Sequence, residues 1–302
     1  MELNAKTIMN RLQKETELLK PITPENSKKL KTVLVGMLSD LQQVCMDNDI
    51  DVMLAYGSAL GAVRHKGFIP WDDDLDVYLT REDWNKFKCL FDKELGDKYI
   101  LEGPNCNELP SKNTFAKIYL KNTKLIDIYD YNTPYVNGIY IDVFVLDFVS
   151  ASSLVRRVEG TFTNIVRFAI NSITYYEYPN DIMNDFMNAN IKTKCYLAFR
   201  KFLGFLFSIR SHNIWCNSFD NYYAKKKDTG IVTCPTQQYL QEVMDLNDIL
   251  PATEGYFEGI KVKLPRNLNK YLNQLYGSTY MELPPVEKRE THMVVDLDFG
   301  KY

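Results

Sequence analysis

Four acids fall within five residues, Asp72, Asp73, Asp74 and Asp76, and the last two enter an apolar run, Asp74-Leu75-Asp76-Val77-Tyr78-Leu79. If that run is a β-strand, its period of two puts both carboxylates on one face and Leu75 and Val77 on the other. Two carboxylates at that spacing repel each other unless a cation lies between them, and hard oxygen ligands suit Mg²⁺ or Mn²⁺. A solvated acidic hairpin edge would place such acids among polar neighbours. Here they sit among apolar ones, so the stretch is read as a metal and phosphate site that the rest of the chain supports.

The segments on either side fit that reading. Ile50 to Tyr56 reads as a strand, followed by Gly57-Ser58 and one or two helical turns at residues 59–63. Glycine lets a phosphate approach the backbone, and free amides at a helix start suit an anion. Upstream, residues 4–19 read as helical. Thr23-Pro24-Glu25 marks a second helix start with a hydroxyl cap, a first-turn proline and an acid at the positive end. Apolar residues from Leu30 to Val44 then recur at three- and four-residue steps up to about Asp47.

Downstream, Thr80 should cap a helix running to about Leu95, with Arg81 as a surface or capping residue. Strands follow at 114–119 and 124–129. Lys117 lies in the middle of the first of them, so it either snorkels to the surface or finds a phosphate or carboxylate partner. In the buried run from Gly138 to Asp147 one acid, Asp142, interrupts the apolar residues. A charge there is costly unless paired or metal-bound, which makes Asp142 a third carboxylate beside Asp74 and Asp76. Asp147 reads as a strand-end cap.

With 302 residues, 45% apolar and 25% charged, the chain has the composition of a soluble globular protein with a full core. A net charge of −3 argues against general nucleic-acid binding. No C-x-x-C pair, signal-peptide h-region or membrane-length apolar run occurs, so reduced cysteines and a cytoplasmic location are expected. The chain reads as one domain, 1–302, with a helical elaboration at 150–235. Residues 150–227 carry eleven basic residues against five acidic ones, and Lys192 to Arg210 holds five basic residues and no acid. Such a stretch suits either a core helix with a cationic outer side or peripheral contact with an anionic membrane surface.

The run from Gly57 through Arg64, Lys66 and Trp71 to Asp76 closely resembles the LicD family, phosphocholine transferases of bacterial surface glycans related to fukutin-type ribitol-phosphate transferases. Shorter matches are Phe115-Ala116-Lys117-Ile118, Ile141-Asp142-Val143-Phe144, Phe257-Glu258-Gly259, and Tyr276-Gly277 through Leu283-Pro284-Pro285 to His292. The resemblance covers roughly residues 23–147 and 245–292. It implies an α/β (α+β) nucleotidyltransferase-type fold, a mixed sheet flanked by helices, with 150–235 as a helical insertion on the acceptor or membrane side.

It also implies that Asp74, Asp76 and Asp142 are catalytic and hold metal, two Mg²⁺ or Mn²⁺ ions. Gly57 and Ser58 would hold phosphate. A CDP-alcohol, CDP-choline foremost, would be the donor. A sugar hydroxyl of a cell-surface glycan (lipopolysaccharide, teichoic acid or capsular polysaccharide) or of its lipid-linked precursor would be the acceptor, with CMP released. Arg64, Lys66, Lys117 and Arg289 are candidates for the donor phosphates. His292 is a candidate phosphate contact, general acid–base group or structural histidine. Trp71 is the first candidate for caging a quaternary ammonium. Competing readings are NMP transfer with pyrophosphate release, and an inactive glycan-assembly scaffold.

Overall fold

The computed structural model describes residues 20–106, 109–128, 130–188, 190–285, 289 and 293–302. The helix expected at 4–19 and His292 lie outside the described residues. The strands are β1 (Lys20–Pro21), β2 (Met53–Leu54), β3 (Asp76–Thr80), β4 (Tyr99–Glu102), β5 (Ala116–Leu120), β6 (Lys124–Asp127), β7 (Tyr140–Phe148), β8 (Ile231–Thr233), β9 (Met244–Asp245), β10 (Thr253–Phe257), β11 (Ile260–Leu264) and β12 (Met293–Asp298). The helices are α1 (Pro24–Asp47), α2 (Tyr56–Arg64), α3 (Arg81–Glu94), α4 (Ser153–Glu177), α5 (Asp181–Asn188), α6 (Ile191–Phe207), α7 (His212–Ala224), α8 (Leu246–Ile249) and α9 (Leu268–Tyr276).

The main sheet runs β10-β11-β2-β3-β7-β5-β4, with β8 joined to β7 and β9 to β8, and β1-β12-β6 form a second small sheet. The β3–β7 and β11–β2 pairs are parallel and their neighbours antiparallel, so the sheet is mixed, as expected. Its central strands read as near-continuous apolar runs because helices cover them. Helix α1 shows why: Thr23 caps it by accepting from the Asn26 amide at 3.2 Å, and Pro24 opens it. Its buried stripe is Leu30, Leu34, Met37, Leu38, Leu41 and Cys45. Each fully buried side chain of this kind contributes about 1.5–3 kcal/mol, and Leu38→Ala, at a position with no exposure, would cost about 2–5 kcal/mol.

Three local expectations need correction. The first strand is only Met53–Leu54, because Tyr56 takes a positive φ of 42° and turns the chain directly into α2. Gly57 and Ser58 therefore lie in that helix's first turn, with Ser58 buried. Asp74 precedes β3 rather than lying on it. Arg81 is no surface residue: it forks onto Asp147 with two 2.7 Å bonds and reaches Asp220 at 2.7 Å, so Asp147 is an ion-pair partner and not a simple cap. That network fastens α3 to the strand end and to α7. All six cysteines are free. No described helix is long and apolar enough to cross a membrane.

Candidate active site

The site forms where β3 and β7 run side by side. Their parallel register sets Asp76 directly opposite Asp142, and the Asp142 amide donates to the Leu75 carbonyl at 2.9 Å. On the other side of β7, β5 pairs Lys117 with Asp142, and the lysine ammonium meets the Asp142 carboxylate at 2.7 Å. Three charged residues thus lie across three adjacent strands in one register. The Lys117 ammonium also sits 3.3 Å from the centre of the Tyr140 ring and 5.5 Å from that of Phe115. Of the partners open to Lys117, the structure supplies a carboxylate.

The loop before β3 adds more acids. Burial, and then the charges of Asp74, Asp142 and Asp72, push Asp76 well above the ordinary carboxylate range, with Lys117 opposing them. Asp72 lies over α2: a Cβ on Gly57 would come within 2.8 Å of an Asp72 carboxylate oxygen. Gly57 therefore makes room for this acid. Ser58 accepts a 3.0 Å hydrogen bond from the Asp76 amide and so fixes the start of β3. Tyr56 keeps its strained backbone because its amide donates to the Tyr271 hydroxyl at 2.8 Å and its own hydroxyl donates to Glu242 at 2.5 Å. That carboxylate also receives the Tyr78 hydroxyl at 3.0 Å.

Among the described residues no three His, Cys, Asp or Glu side chains converge into a finished metal site. The fit to a cation is one of charge. Asp72, Asp74, Asp76 and Asp142 are near enough for their repulsion to raise Asp76, and a divalent ion would relieve it. Asp142 is turned to Lys117 in this conformation.

The remaining expected contacts divide into two groups. Arg64 donates to the Tyr280 and Glu282 carbonyls at 2.9 and 3.1 Å, fastening the segment after α9 to α2. Its guanidinium is 6.0 Å from the Trp71 ring centre, and that of Arg289 is 4.4 Å away. Trp71 therefore brings two guanidiniums to the edge of the acidic loop. Lys66 is exposed, and its carbonyl accepts from the Glu258 amide at 2.9 Å. Sequence reasoning missed Lys31, on α1, whose ammonium donates to the Ile69 and Pro70 carbonyls at 3.3 and 3.1 Å. It feels the charges of Asp72, Asp73 and Glu258. It missed Tyr276 too, a residue 42% exposed whose phenol is pushed up by partial loss of solvent and by Asp76, Asp72 and Asp74. Tyr276 belongs to the Tyr276-Gly277 motif, so the signal was present, but it carried no direction.

Two cavities flank these acids. One, about 720 Å³, is lined by Lys28, Lys31, Trp71, Asp73 and Glu258, among others. The second, about 350 Å³, lies beyond Lys117 and is walled by Asp127, Asn171, Thr174, Tyr175 and Arg200 among others, so the helical insertion supplies one side of it.

Comparison with known proteins agrees with this architecture. Residues 49–185 match the LicD/FKTN/FKRP nucleotidyltransferase domain. Over 271 residues, 87% of this chain and 94% of the other, the sequence is 25% identical to the lipopolysaccharide cholinephosphotransferase LicD of Haemophilus influenzae. It is also 31% identical over 126 residues to an uncharacterized protein of Rickettsia typhi, covering 38% of this chain and 39% of that one. The domain match spans both strands that carry Asp76 and Asp142, and the similarity to the Haemophilus protein covers 87% of the chain. Residues 49–185 thus carry the match to the LicD-type domain, and most of the chain is similar to a LicD cholinephosphotransferase.

Proposed function

We propose that this chain transfers a phospho-alcohol, phosphocholine foremost, from a CDP-linked donor to a sugar hydroxyl of a surface glycan or its lipid-linked precursor, on the cytoplasmic side of the membrane. The observation that carries the reading is the register of Asp76 against Asp142, within a chain similar along most of its length to a lipopolysaccharide cholinephosphotransferase.

The two cavities suit the two substrates. The first offers lysines for phosphates and an indole face for a base, so we assign it to the donor. The second offers amides, hydroxyls and aromatic faces. Its charged lining, Lys112, Lys117 and Arg200 against Asp127 and Asp130, is not net acidic, which fits a sugar better than a quaternary ammonium. We assign it to the acceptor.

Asp74, Asp76 and Asp142 would hold Mg²⁺ or Mn²⁺, which when bound neutralises the donor diphosphate and stabilises the departing CMP. The protein's own groups do the rest. Lys31 and the guanidiniums on Trp71 set positive charge beside the acidic loop, where the donor phosphates must lie. Asp142, linked through Lys117 to the acceptor cavity, takes the proton of the attacking hydroxyl. A bond forms between the acceptor oxygen and the phosphorus bearing the alcohol, and the bond from that phosphorus to CMP breaks.

The test is incubation with Mg²⁺ and a set of CDP-alcohols, with and without glycan acceptor, following CMP. Acceptor-dependent CMP release, abolished in Asp76→Asn and in Asp142→Asn, is expected. Pyrophosphate release from a nucleoside triphosphate would instead establish nucleotidyl transfer. Turnover with another CDP-alcohol but not CDP-choline would reject choline and leave the site assignment standing. Unchanged turnover in both variants would reject the site.

A further inference from the structure

The helical insertion carries an apolar surface that no described part of the chain covers. On α6 the buried face is Thr193, Leu197, Arg200 and Gly204. At about 100° per residue the opposite face collects Ile191, Cys195, Phe199, Phe202, Phe205 and Leu206. All six are exposed, Ile191 at 72% and Phe202 at 57%, and just beyond the helix Ile209 reaches 87%. No charged residue interrupts that face. Lys192 falls on one flank of it, and Lys194 and Lys201 on the other.

Helix α4 extends the same surface. Its stripe Leu154, Val158, Phe162 and Ile165 is 61–71% exposed. At three- and four-residue steps it continues through Phe168 and Ser172 to Tyr176. Those last three are the residues on which α6 rests: Phe168 packs against Phe199, Tyr176 packs against Phe205, and Gly204 presses on the Ser172 backbone. So α6 covers the C-terminal half of the stripe and presents its own phenylalanines outward on that side, while the N-terminal half stays bare. Exposed apolar surface that is continuous in this way marks a contact site rather than scattered surface residues.

We propose that the α4–α6 face docks on an anionic lipid bilayer, the phenylalanines entering the interface and the lysines meeting the head groups. The charge pattern chooses this occupant. From Ile191 to Phe219 there is no acidic residue, so a second copy seated on the same face would bring lysine rows together, whereas an anionic surface satisfies both rings and ammoniums. The inner sides of these two helices, at Asn171, Thr174, Tyr175 and Arg200, line the cavity beyond Lys117. Docking therefore holds the two helices that wall that cavity at the membrane surface. The inference does not depend on which group the enzyme transfers.

Vesicle flotation of the full chain tests it, using phosphatidylcholine vesicles with and without phosphatidylglycerol. Binding to the anionic vesicles, weakened by salt, is expected. Phe202→Ser and Phe205→Ser should each weaken partition about tenfold. The triple change Lys192→Gln/Lys194→Gln/Lys201→Gln should weaken it roughly fivefold per lysine, and Phe202→Ser should melt with the wild type because that side chain is 57% exposed. Failure of the wild type to float with anionic vesicles at low salt overturns the proposal. So does equal binding to the neutral vesicles, or a vesicle-free dimer that the phenylalanine variants dissolve.

Discussion

Replacing Lys117 by methionine separates two roles for this residue, a grip on donor phosphate and a counter-charge for the carboxylates. The ammonium lies 2.7 Å from Asp142, and the two side chains are 9% and 14% exposed. At an effective dielectric of about 20 the gross attraction over that distance is about 6 kcal/mol. Desolvation offsets much of it, and breaking a buried pair by removing one partner costs about 3–5 kcal/mol. The slight exposure of Asp142 points to the lower end, so Lys117→Met should lose about 3 kcal/mol in urea unfolding with EDTA present. Two further outcomes follow if counter-charge is the role. Adding Asp142→Asn to the variant should recover much of the loss, since no buried charge is then stranded. Millimolar Mg²⁺ or Mn²⁺ should stabilise the single variant more than the wild type, because the ion takes over the missing positive charge. A loss below about 1 kcal/mol, or no recovery in the double variant, would refute the pairing as the reason a lysine sits there.

Asp76 supplies a pH signature. Its carboxyl is raised by burial and by Asp74, Asp142 and Asp72, so the folded chain holds that proton to higher pH than the unfolded one. The contribution is present below the ordinary carboxylate range, near pH 4, and is lost as pH rises through the raised value. In EDTA, stability should thus fall across that window, and Asp76→Asn should flatten the decline while abolishing transfer; parallel pH–stability curves would refute it. Arg81→Ala should cost about 3–5 kcal/mol, since it strands Asp147 and Asp220, whose side chains are 3% and 10% exposed. A melting temperature within a degree or two of wild type would show that this network does not hold α3 to α7.

What could be read from the sequence follows from what an isolated segment can encode. Helices α1 and α3 carry their own caps and apolar stripes, and they form within a residue or two of the expected bounds. Asp142 was legible because an acid inside an apolar strand must find a partner, and the strand registry then sets it opposite Asp76. Partner identity is another matter, because it is written in distant segments. Arg81 looks like an ordinary first-turn arginine until β7 and α7, 66 and 139 residues on, bring Asp147 and Asp220 to it. Likewise the strand before Gly57 is cut short by a backbone turn at Tyr56 that Tyr271 and Glu242 secure.

The insertion shows the same limit from the other side. A three- and four-residue apolar period reports that a helix has a face, and it is silent on what covers that face. On α1 the covering element is the sheet, and Leu30, Leu34 and Leu38 vanish from solvent. Helix α6 has a comparable outer row, yet its Phe199, Phe202 and Phe205 are more than half exposed, because the buried face is the opposite one, at Leu197, Arg200 and Gly204. Phe199 and Phe205 meet α4 only along one edge, at Phe168 and Tyr176. The placement of small residues carries that distinction. Gly204 has no space for a Cβ against α4, which fixes the inward face and leaves the aromatic row turned out. An exposed row of this kind is unfavourable in water unless something apolar meets it. The absence of acids along its flanks then restricts what that can be.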